Sequence, residues 1–376
     1  YTLTLSAKGF QPQRSPSLSL AAFRTLRQDF KLNVASNSAA IDVTMSLSPL
    51  IQTESPSIST SLTTKQIQEI PTNLRSVFNN SGDSGLLFQL APLTIPGLNQ
   101  VGAGAAWITP GAGANSVKSK VDGIETNFGN FGAPDPVSQP SMESIAEFTA
   151  NTLTNRAEFG GMGMITSVTK SGGNAFHANL FWYARNSALD ARNTFAVAKP
   201  FQNIHNYGAN LAGPLRKDKT FFFFNFDQTR GSRAYLFTSS VPTLAMRQGD
   251  FSALGVIRNP FTNTPYENSR IPASQLSRQG LNAQSAVFPL PNFGAPTLTA
   301  GNYRAAFNGP EVHDIYEGRT DHNWTSAHSS FARYQWKKAD YDIPGARGAL
   351  PPTTLGTSKN IRRVPIITLG DIWTPR

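Results

Sequence analysis

The segment 157–193 constrains the fold more than any other part of the chain. It holds a hydrophobic run at 164–168, a polar glycine turn at 170–174 and an alternating segment that starts at Phe176. One face of that segment carries Phe176, Ala178, Leu180, Trp182 and Ala184, and the other carries His177, Asn179 and Arg185. Because side chains alternate along a strand, this predicts a strand with one apolar and one partly polar face. Its length suits a tilted strand that crosses a bilayer.

The same alternation recurs in the second half of the chain. It is found at 204–212, 220–228, 315–324, 330–338 and 364–373. In the segment 220–228, for example, Phe222, Phe224 and Phe226 lie opposite Asn225 and Asp227. In a soluble glycan-binding β protein such apolar faces would stay in contact with water, which disfavours that class.

The connections between these segments alternate in length. Those at 186–203, 229–314 and 339–363 are long, whereas those at 213–219 and 325–329 are short. Transmembrane β-barrels pair short periplasmic turns with long external loops in this way. We therefore predict a mainly β fold that includes an incomplete antiparallel transmembrane β-barrel, whose roughly six strands cannot close.

Composition agrees with many strands joined by loops. Charged residues make up 15% of the chain, against about 25% in soluble domains. Cysteine is absent, which excludes disulfide frameworks, thiolate metal sites and cysteine nucleophiles. The net charge of +10 is scattered over isolated basic residues and pairs, so we expect no nucleic-acid partner.

The sequence contains no recognisable catalytic or metal-binding constellation. Its five histidines lack the spacing of a metal pair, and His322 and His328 are expected to be exposed on neighbouring strands. The glycine-rich stretches do not complete a nucleotide-binding motif. We expect no cofactor, no metal and no enzymatic activity.

The amino-acid sequences of several segments resemble those of a known protein family. The run TKSGGNAFHANLFWYARNSALDARN at 169–193 resembles the junction of plug and barrel in TonB-dependent outer-membrane receptors of the Oar-like branch. Three runs in the third connection are similar to the same branch: VPTLAMRQGDFS at 241–252, RIPAS at 270–274 and FPLPN at 288–292.

The resemblance implies four regions in a chain that we expect to be truncated at both ends. Residues 1–34, with strand patterns at 1–5 and 30–34, would be the last strands of a carboxypeptidase-regulatory-like β-sandwich. Residues 35–62 would be a linker. A candidate TonB box, which pairs with TonB by strand addition, lies in this linker at Ile41, Asp42, Val43 and Thr44. Residues 63–173 would be a mixed α/β plug, and residues 174–376 the first strands and long external loops of the barrel.

Within the plug region the sequence predicts four features. These are a threonine-capped helical turn at 63–71 and a strand broken by an Asp-Gly turn at Val121, Asp122, Gly123 and Ile124. A helix after Ser141, with Met142, Ile145 and Phe148 at helical spacing, and a pair of strands ending near Thr169 complete the set. Some segments depart from the sequence pattern of the branch, for instance residues 70–75.

The family resemblance implies energised transport of a bulky ligand, such as a glycan or peptide, across a Gram-negative outer membrane by way of the TonB–ExbB–ExbD complex. The polar faces supply lumen-facing ligand candidates at Asn225, Asp227, Arg319, Asp321 and Arg333. On this wall Asp321 and Glu317 are expected to pair with Arg319 and Arg333. The alternative is a surface adhesion or glycan-binding protein that does not transport, for which a functioning TonB box would have no use.

Overall fold

The computed structural model describes residues 2–15, 30–32, 34, 58–69, 99–101, 106–108, 116–127, 138–153, 163–192, 194, 199–344 and 357–374. The described residues divide into two compact units, one ending at Lys170 and the other beginning at Ser171. Both are built mainly from β-strands, which confirms the predicted fold class. Among these residues no helix has the length and apolar character needed to cross a membrane.

The first unit is a mixed α/β arrangement. Its elements are β1 (Thr4–Leu5), β2 (Gln13–Arg14), β3 (Ile58–Thr63), α1 (Thr64–Glu69), β4 (Asn99–Val101), β5 (Ala106–Ile108), β6 (Val117–Val121), β7 (Ile124–Glu125), β8 (Ile145–Leu153) and β9 (Gly163–Thr169). Five of them form a sheet in the order β3-β8-β9-β6-β7, in which β6 and β9 run parallel and the other pairs antiparallel. β1 pairs with β2, and β4 with β5.

The N-terminal strands differ from their predicted form. β1 pairs with residues 13–14 because the chain turns at Gly9, which has a φ of 86°. The predicted strand at 30–34 is reduced, among the described residues, to an isolated bridge between Val34 and Phe10.

Helix α1 and the Asp-Gly turn confirm two predictions made for residues 63–173. The Thr63 N–H donates to Gln66 Oε1 at 3.0 Å, which caps α1, and Ile67 of that helix is fully buried. Asp122 and Gly123 have φ values of 51° and 86°, and they join β6 to β7 in a tight two-residue turn. Positive φ at both positions is what a type I′ hairpin turn requires, and Asp-Gly is a favoured pair there.

The predicted helix after Ser141 is wrong. Ser141 does cap a helical turn, since its side chain accepts from the Glu143 N–H, but that 3₁₀ turn ends at Ser144. The chain then continues as β8, which lies between β3 and β9. A central strand fills the hydrogen bonds of both its edges and buries Ile145 and Phe148 completely. This tertiary pairing outweighs an apolar spacing of three residues.

The second unit is a six-stranded antiparallel sheet in sequence order. Its strands are β10 (His177–Asn186), β11 (Gln202–Arg216), β12 (Thr220–Ser239), β13 (Tyr303–Thr325), β14 (His328–Pro344) and β15 (Thr357–Trp373). Residues 217–219 and 326–327 form the two short turns, whereas residues 187–201 and 240–302 form long connections. The alternation of short and long connections is therefore confirmed. Residues 345–356 lie outside the described part.

The strands are longer than the alternating segments predicted. β12 and β13 stay paired as far as Ser239 and Tyr303, so the third connection covers 240–302 instead of 229–314. Beyond Gln228 both faces of β12 carry mostly polar side chains and glycine. Where a strand extends beyond an apolar environment, its apolar and polar side chains need not alternate. Its backbone pairing then cannot be detected from the hydropathy pattern.

The connection at 240–302 is folded by internal bonds. It contains α2 (Leu244–Arg247), with a capping box at Thr243 and Met246, and α3 (Arg278–Val287). Asn302 bonds both main-chain groups of Val241, at 2.8 and 2.9 Å, and so closes the base of the connection. Hydrogen bonds from Ser252 lower the pKa of the Asp250 carboxyl, and its ion pair with Arg270 adds to this.

Candidate functional site

The two faces of the six-stranded sheet have opposite character. We call the face that carries Phe222, Phe224 and Phe226 the apolar face, and the opposite one the polar face. Large side chains on the apolar face are exposed: Leu180, Trp182, Leu211, Phe224, Tyr334, Ile367 and Leu369. Polar side chains on the polar face are buried: Asn206, Asn225, Asp227, Thr229, Glu317, Arg333, Gln335 and Thr368. This inverts the rule for soluble proteins and is the pattern of a sheet whose apolar face meets lipid.

A row of aromatic rings borders the apolar face toward the long connections. Phe226, Tyr316 and Trp336 occupy directly paired positions on three strands, with ring centroids 5.3 and 5.6 Å apart. Beyond this row the same face becomes polar, since Gln228 donates to Asp314 at 2.8 Å and Arg230 forms an ion pair with Asp314. Aromatic rings followed by charge mark the edge of a membrane-spanning band.

The centre of the polar face is a row of amides around one carboxylate. Asn225, Glu317 and Gln335 are directly paired across β12, β13 and β14. Glu317 accepts from Asn225 Nδ2 at 3.0 Å and from Gln335 Nε2 at 2.8 Å, and all three side chains are buried. Each of these hydrogen bonds pairs polar groups that are buried within the wall, so the row stabilises it.

The remaining ligand candidates also bond to neighbours on the polar face. Asp227 accepts from Asn206 Nδ2 at 2.6 Å. Arg319 donates to Asp321 at 2.7 Å through Nη2 and at 3.1 Å through Nε, which confirms the expected pairing of these two residues. Its guanidinium also lies 4.5 Å from the centre of the Phe331 ring.

Arg333 is nearly buried and lies directly opposite Arg319. It donates to Thr368 Oγ1 at 3.3 Å and to Gln335 Oε1 at 3.4 Å. All five ligand candidates therefore share one face, but each is engaged in the wall itself. The arrangement makes a stable hydrophilic surface, on which few of these polar side chains are available to bind a ligand tightly.

A further buried cluster on this face was missed from the sequence. Arg233 Nε lies 2.5 Å from Glu311 Oε1, and His313 Nε2 lies 2.8 Å from Glu311 Oε2. Glu311 and His313 are each 1% exposed. These residues belong to the strand extensions, so the alternating segments did not include them. Only the register between β12 and β13 reveals the cluster.

The segment Val121, Asp122, Gly123 and Ile124, which the resemblance predicts to be a plug motif, has a defined structural role. The Asp122 carboxylate accepts from the Thr169 N–H at 2.9 Å and from Thr169 Oγ1 at 2.9 and 3.0 Å. It thus ties the β6–β7 turn to the end of β9. The candidate TonB box at Ile41, Asp42, Val43 and Thr44 lies outside the described residues.

Lys170 closes the first unit close to helix α1. Its Nζ donates to the Glu143 main-chain oxygen at 2.7 Å, and the Glu143 carboxylate accepts from Gln68 of α1 at 2.9 Å. Burial lowers the pKa of Lys170, and the negative charge of Glu143 partly offsets this effect. The contacts hold α1 against the start of β8.

His322 and His328 lie where the sequence placed them, whereas His313 belongs to the buried cluster that the sequence did not predict. His322 and His328 are on neighbouring strands and are partly exposed. In the described part of the chain, no group of three or more histidine, aspartate or glutamate side chains has the geometry of a metal site.

Comparison with known proteins identifies several similar chains. A family model described as "Outer membrane beta barrel domain" matches residues 168–376. The TonB-dependent transporter Oar of Myxococcus xanthus is 27% identical over 241 residues, which cover 60% of this chain and 22% of that protein. The chain thus spans about a fifth of the length of this curated relative.

Two solved structures show a partial likeness. A mutant of the ferric enterobactin receptor PfeA from Pseudomonas aeruginosa, in complex with enterobactin, is 14% identical with a TM-score of 0.36, covering 82% of this chain and 46% of that one. The outer membrane transporter YddB from Escherichia coli is 12% identical with a TM-score of 0.40, covering 76% and 33%.

Proposed function

The chain belongs to the outer-membrane β-barrel domain family, and from this we infer that it is part of a TonB-dependent receptor that transports a bulky ligand. Membership in this family places the protein in the outer membrane of a Gram-negative cell. The similarity to the TonB-dependent transporter Oar supports the transport function and the Oar-like branch.

The observation that carries the proposal is that the apolar face of the six-stranded sheet is exposed and its polar face is buried. The apolar face suits lipid, and the polar face suits the lining of a passage. Because Asn225, Glu317 and Gln335 hydrogen-bond to one another, the lining is hydrophilic without presenting a tight site. Such a surface lets a large polar ligand, for example a glycan or a peptide, move past without being trapped.

The first unit would serve as the plug that the energy source must move. An outer membrane has no ATP supply, so force must come from a partner such as the TonB–ExbB–ExbD complex. A segment rich in β-branched residues that precedes α1 in the sequence is the natural attachment point, and Ile41, Asp42, Val43 and Thr44 have that composition. Domain boundaries near 34, 62 and 173 belong to the same proposal.

A non-transporting adhesion protein is the second candidate. The connection at 240–302 exposes apolar side chains, among them Phe261 at 94% and Val256 at 72%. Exposed apolar groups of this kind are typical of surfaces that contact other molecules. An adhesion protein would use this connection but would have no need of TonB.

Substitution of Val43 in the full-length receptor tests the proposal. Val43→Pro removes a backbone donor and should abolish capture by the isolated periplasmic domain of TonB, because strand addition depends on main-chain hydrogen bonds. Val43→Thr keeps both the N–H and the β-branched side chain, so it should be captured like the wild type. Heat-modifiable migration on gels would check that both variants assemble.

The outcome separates the candidate functions. Equal capture of both variants by TonB would show that the TonB box lies in another segment. Failure of the wild-type receptor to bind TonB at all would support the adhesion protein instead.

A further inference from the structure

The apolar face ends, toward the short turns, in a cluster of rings that we call the rim cluster: His322, Trp324, His328 and Trp373. The centroid of Trp324 lies 4.2 Å from that of His322 and 6.2 Å from that of His328. Trp373 is directly paired with His328 across β14 and β15. Trp324 and Trp373 are 57% and 70% exposed, so these large rings are left uncovered by the described part of the chain.

A basic turn adjoins the rim cluster. Arg216, Lys217 and Lys219 are all exposed at the β11–β12 turn. The turn is joined to the β13 end of the cluster, because the Asn323 N–H donates to the Lys219 main-chain oxygen at 2.8 Å. Asp218 also belongs to this turn, and it accepts from Asn174 Nδ2 at 2.6 Å. The turn thus carries three cations and one carboxylate, and that carboxylate already has a partner.

One ring of the rim cluster keeps an unused N–H donor. His322 Nδ1 lies 2.8 Å from Thr220 Oγ1 and can accept from that hydroxyl, which leaves His322 Nε2–H without a hydrogen-bond partner among the described residues. His328 donates its Nε2–H to Asp371 Oδ1 at 2.9 Å, which fixes the orientation of that ring. A surface pocket of about 450 Å³ opens between the two turns, lined by Lys219, Trp324 and His328 among others.

We propose that the rim cluster and the basic turn together bind the phosphate headgroup of an anionic phospholipid, in the leaflet that borders the short turns. Exposed tryptophans lie at headgroup level in membrane proteins, where the ring is half in hydrocarbon and half in water. Lysine and arginine next to them attract anionic lipid. Imidazole and ammonium N–H groups are good donors to phosphate oxygens.

The position of the cluster favours a lipid over a free anion. Leu369 and Asp371 lie on the same face of β15 as Trp373, so the cluster continues directly from the apolar face. An acyl chain along that face would bring its headgroup to the level of Trp324 and Lys219. The inference depends on the proposed barrel only in requiring that the apolar face contacts lipid.

Native mass spectrometry of the purified full-length receptor tests this assignment. The receptor is equilibrated with mixed micelles that contain equal amounts of phosphatidylglycerol and phosphatidylcholine, and the retained lipids are counted. The wild type should retain phosphatidylglycerol preferentially. Each basic residue near a lipid surface changes binding about fivefold, so the double variant K217Q/K219Q should weaken retention about 25-fold.

The matched control is the double variant K199Q/R278Q, which removes two exposed cations from the long connections at 187–201 and 240–302. It should keep the wild-type preference. The variant Trp324→Ala should also lower retention, while a normal heat-modifiable gel shift confirms that it folds. Equal retention by wild type and K217Q/K219Q, or an equal loss in the control, would overturn the site. Because the readout is lipid retention, it is independent of TonB capture and of transport.

Discussion

Ile367→Arg is the sharpest test of whether the apolar face contacts lipid. Ile367 lies on the apolar face of β15, in the row that also contains Phe224 and Tyr334, and it is 72% exposed. In water, an arginine at so exposed a position would change the free energy of unfolding by no more than about 0.5 kcal/mol. In the lipid of a bilayer it should cost more, rising to about 2–4 kcal/mol at the midplane.

The chain offers a matched control on the same strand. Ile361 has the same side chain, lies on the same face and is 54% exposed, but it pairs with Asp340, beyond the aromatic row. Six residues of a strand tilted by about 40° place it about 15 Å from Ile367 along the membrane normal. At that depth an arginine should cost only about 0–1 kcal/mol.

Reversible folding of the full-length receptor into lipid vesicles, followed by tryptophan fluorescence in a guanidinium titration, measures both costs. The expected result is a large loss of stability for Ile367→Arg and a small one for Ile361→Arg. Equal costs at the two positions would refute the membrane depth assigned to the apolar face. Two small costs would show that this face meets water.

Two further predictions follow from the same sheet. Glu317→Ala should lower the free energy of unfolding by about 2–4 kcal/mol, because it removes the carboxylate that accepts from the buried amides of Asn225 and Gln335, while Glu317→Gln should cost less. The same vesicle titration measures both, and a neutral alanine variant would show that the amide row does not stabilise the wall. An epitope tag at Asn263, in an exposed turn of the connection at 240–302, should be labelled on intact cells. Labelling only after permeabilisation would show that the sheet has the opposite orientation in the membrane.

Much of the candidate site could be read from the sequence because the side-chain period of a strand is two. That period alone put Asn225 and Asp227 on the face opposite Phe224, and the structure agrees. It also put Arg319 beside Asp321, where the predicted pair forms at 2.7 Å. The candidate TonB box and the four domain boundaries stay predictions.

The cluster of Arg233, Glu311 and His313 could not be predicted in this way. Its strands pass beyond the apolar band, where the apolar face gives way to polar side chains and the alternation of hydropathy is lost. Their pairing depends on backbone hydrogen bonds between positions far apart in the chain, which local patterns do not encode. The same limit explains why 229–239 and 303–314 were expected to belong to a connection.

The sequence by itself determined the alternating faces, the short and long connections and the Asp-Gly turn, since each depends on neighbours within a few residues. Only the tertiary structure decided that the chain after Ser141 becomes a strand. Ile145 and Phe148 match a helical spacing, yet β3 and β9 together satisfy the backbone of β8 on both edges. Likewise, only the register of β12, β13 and β14 showed that Asn225, Glu317 and Gln335 form one hydrogen-bonded row, because cross-strand neighbours are set by pairing and not by sequence distance.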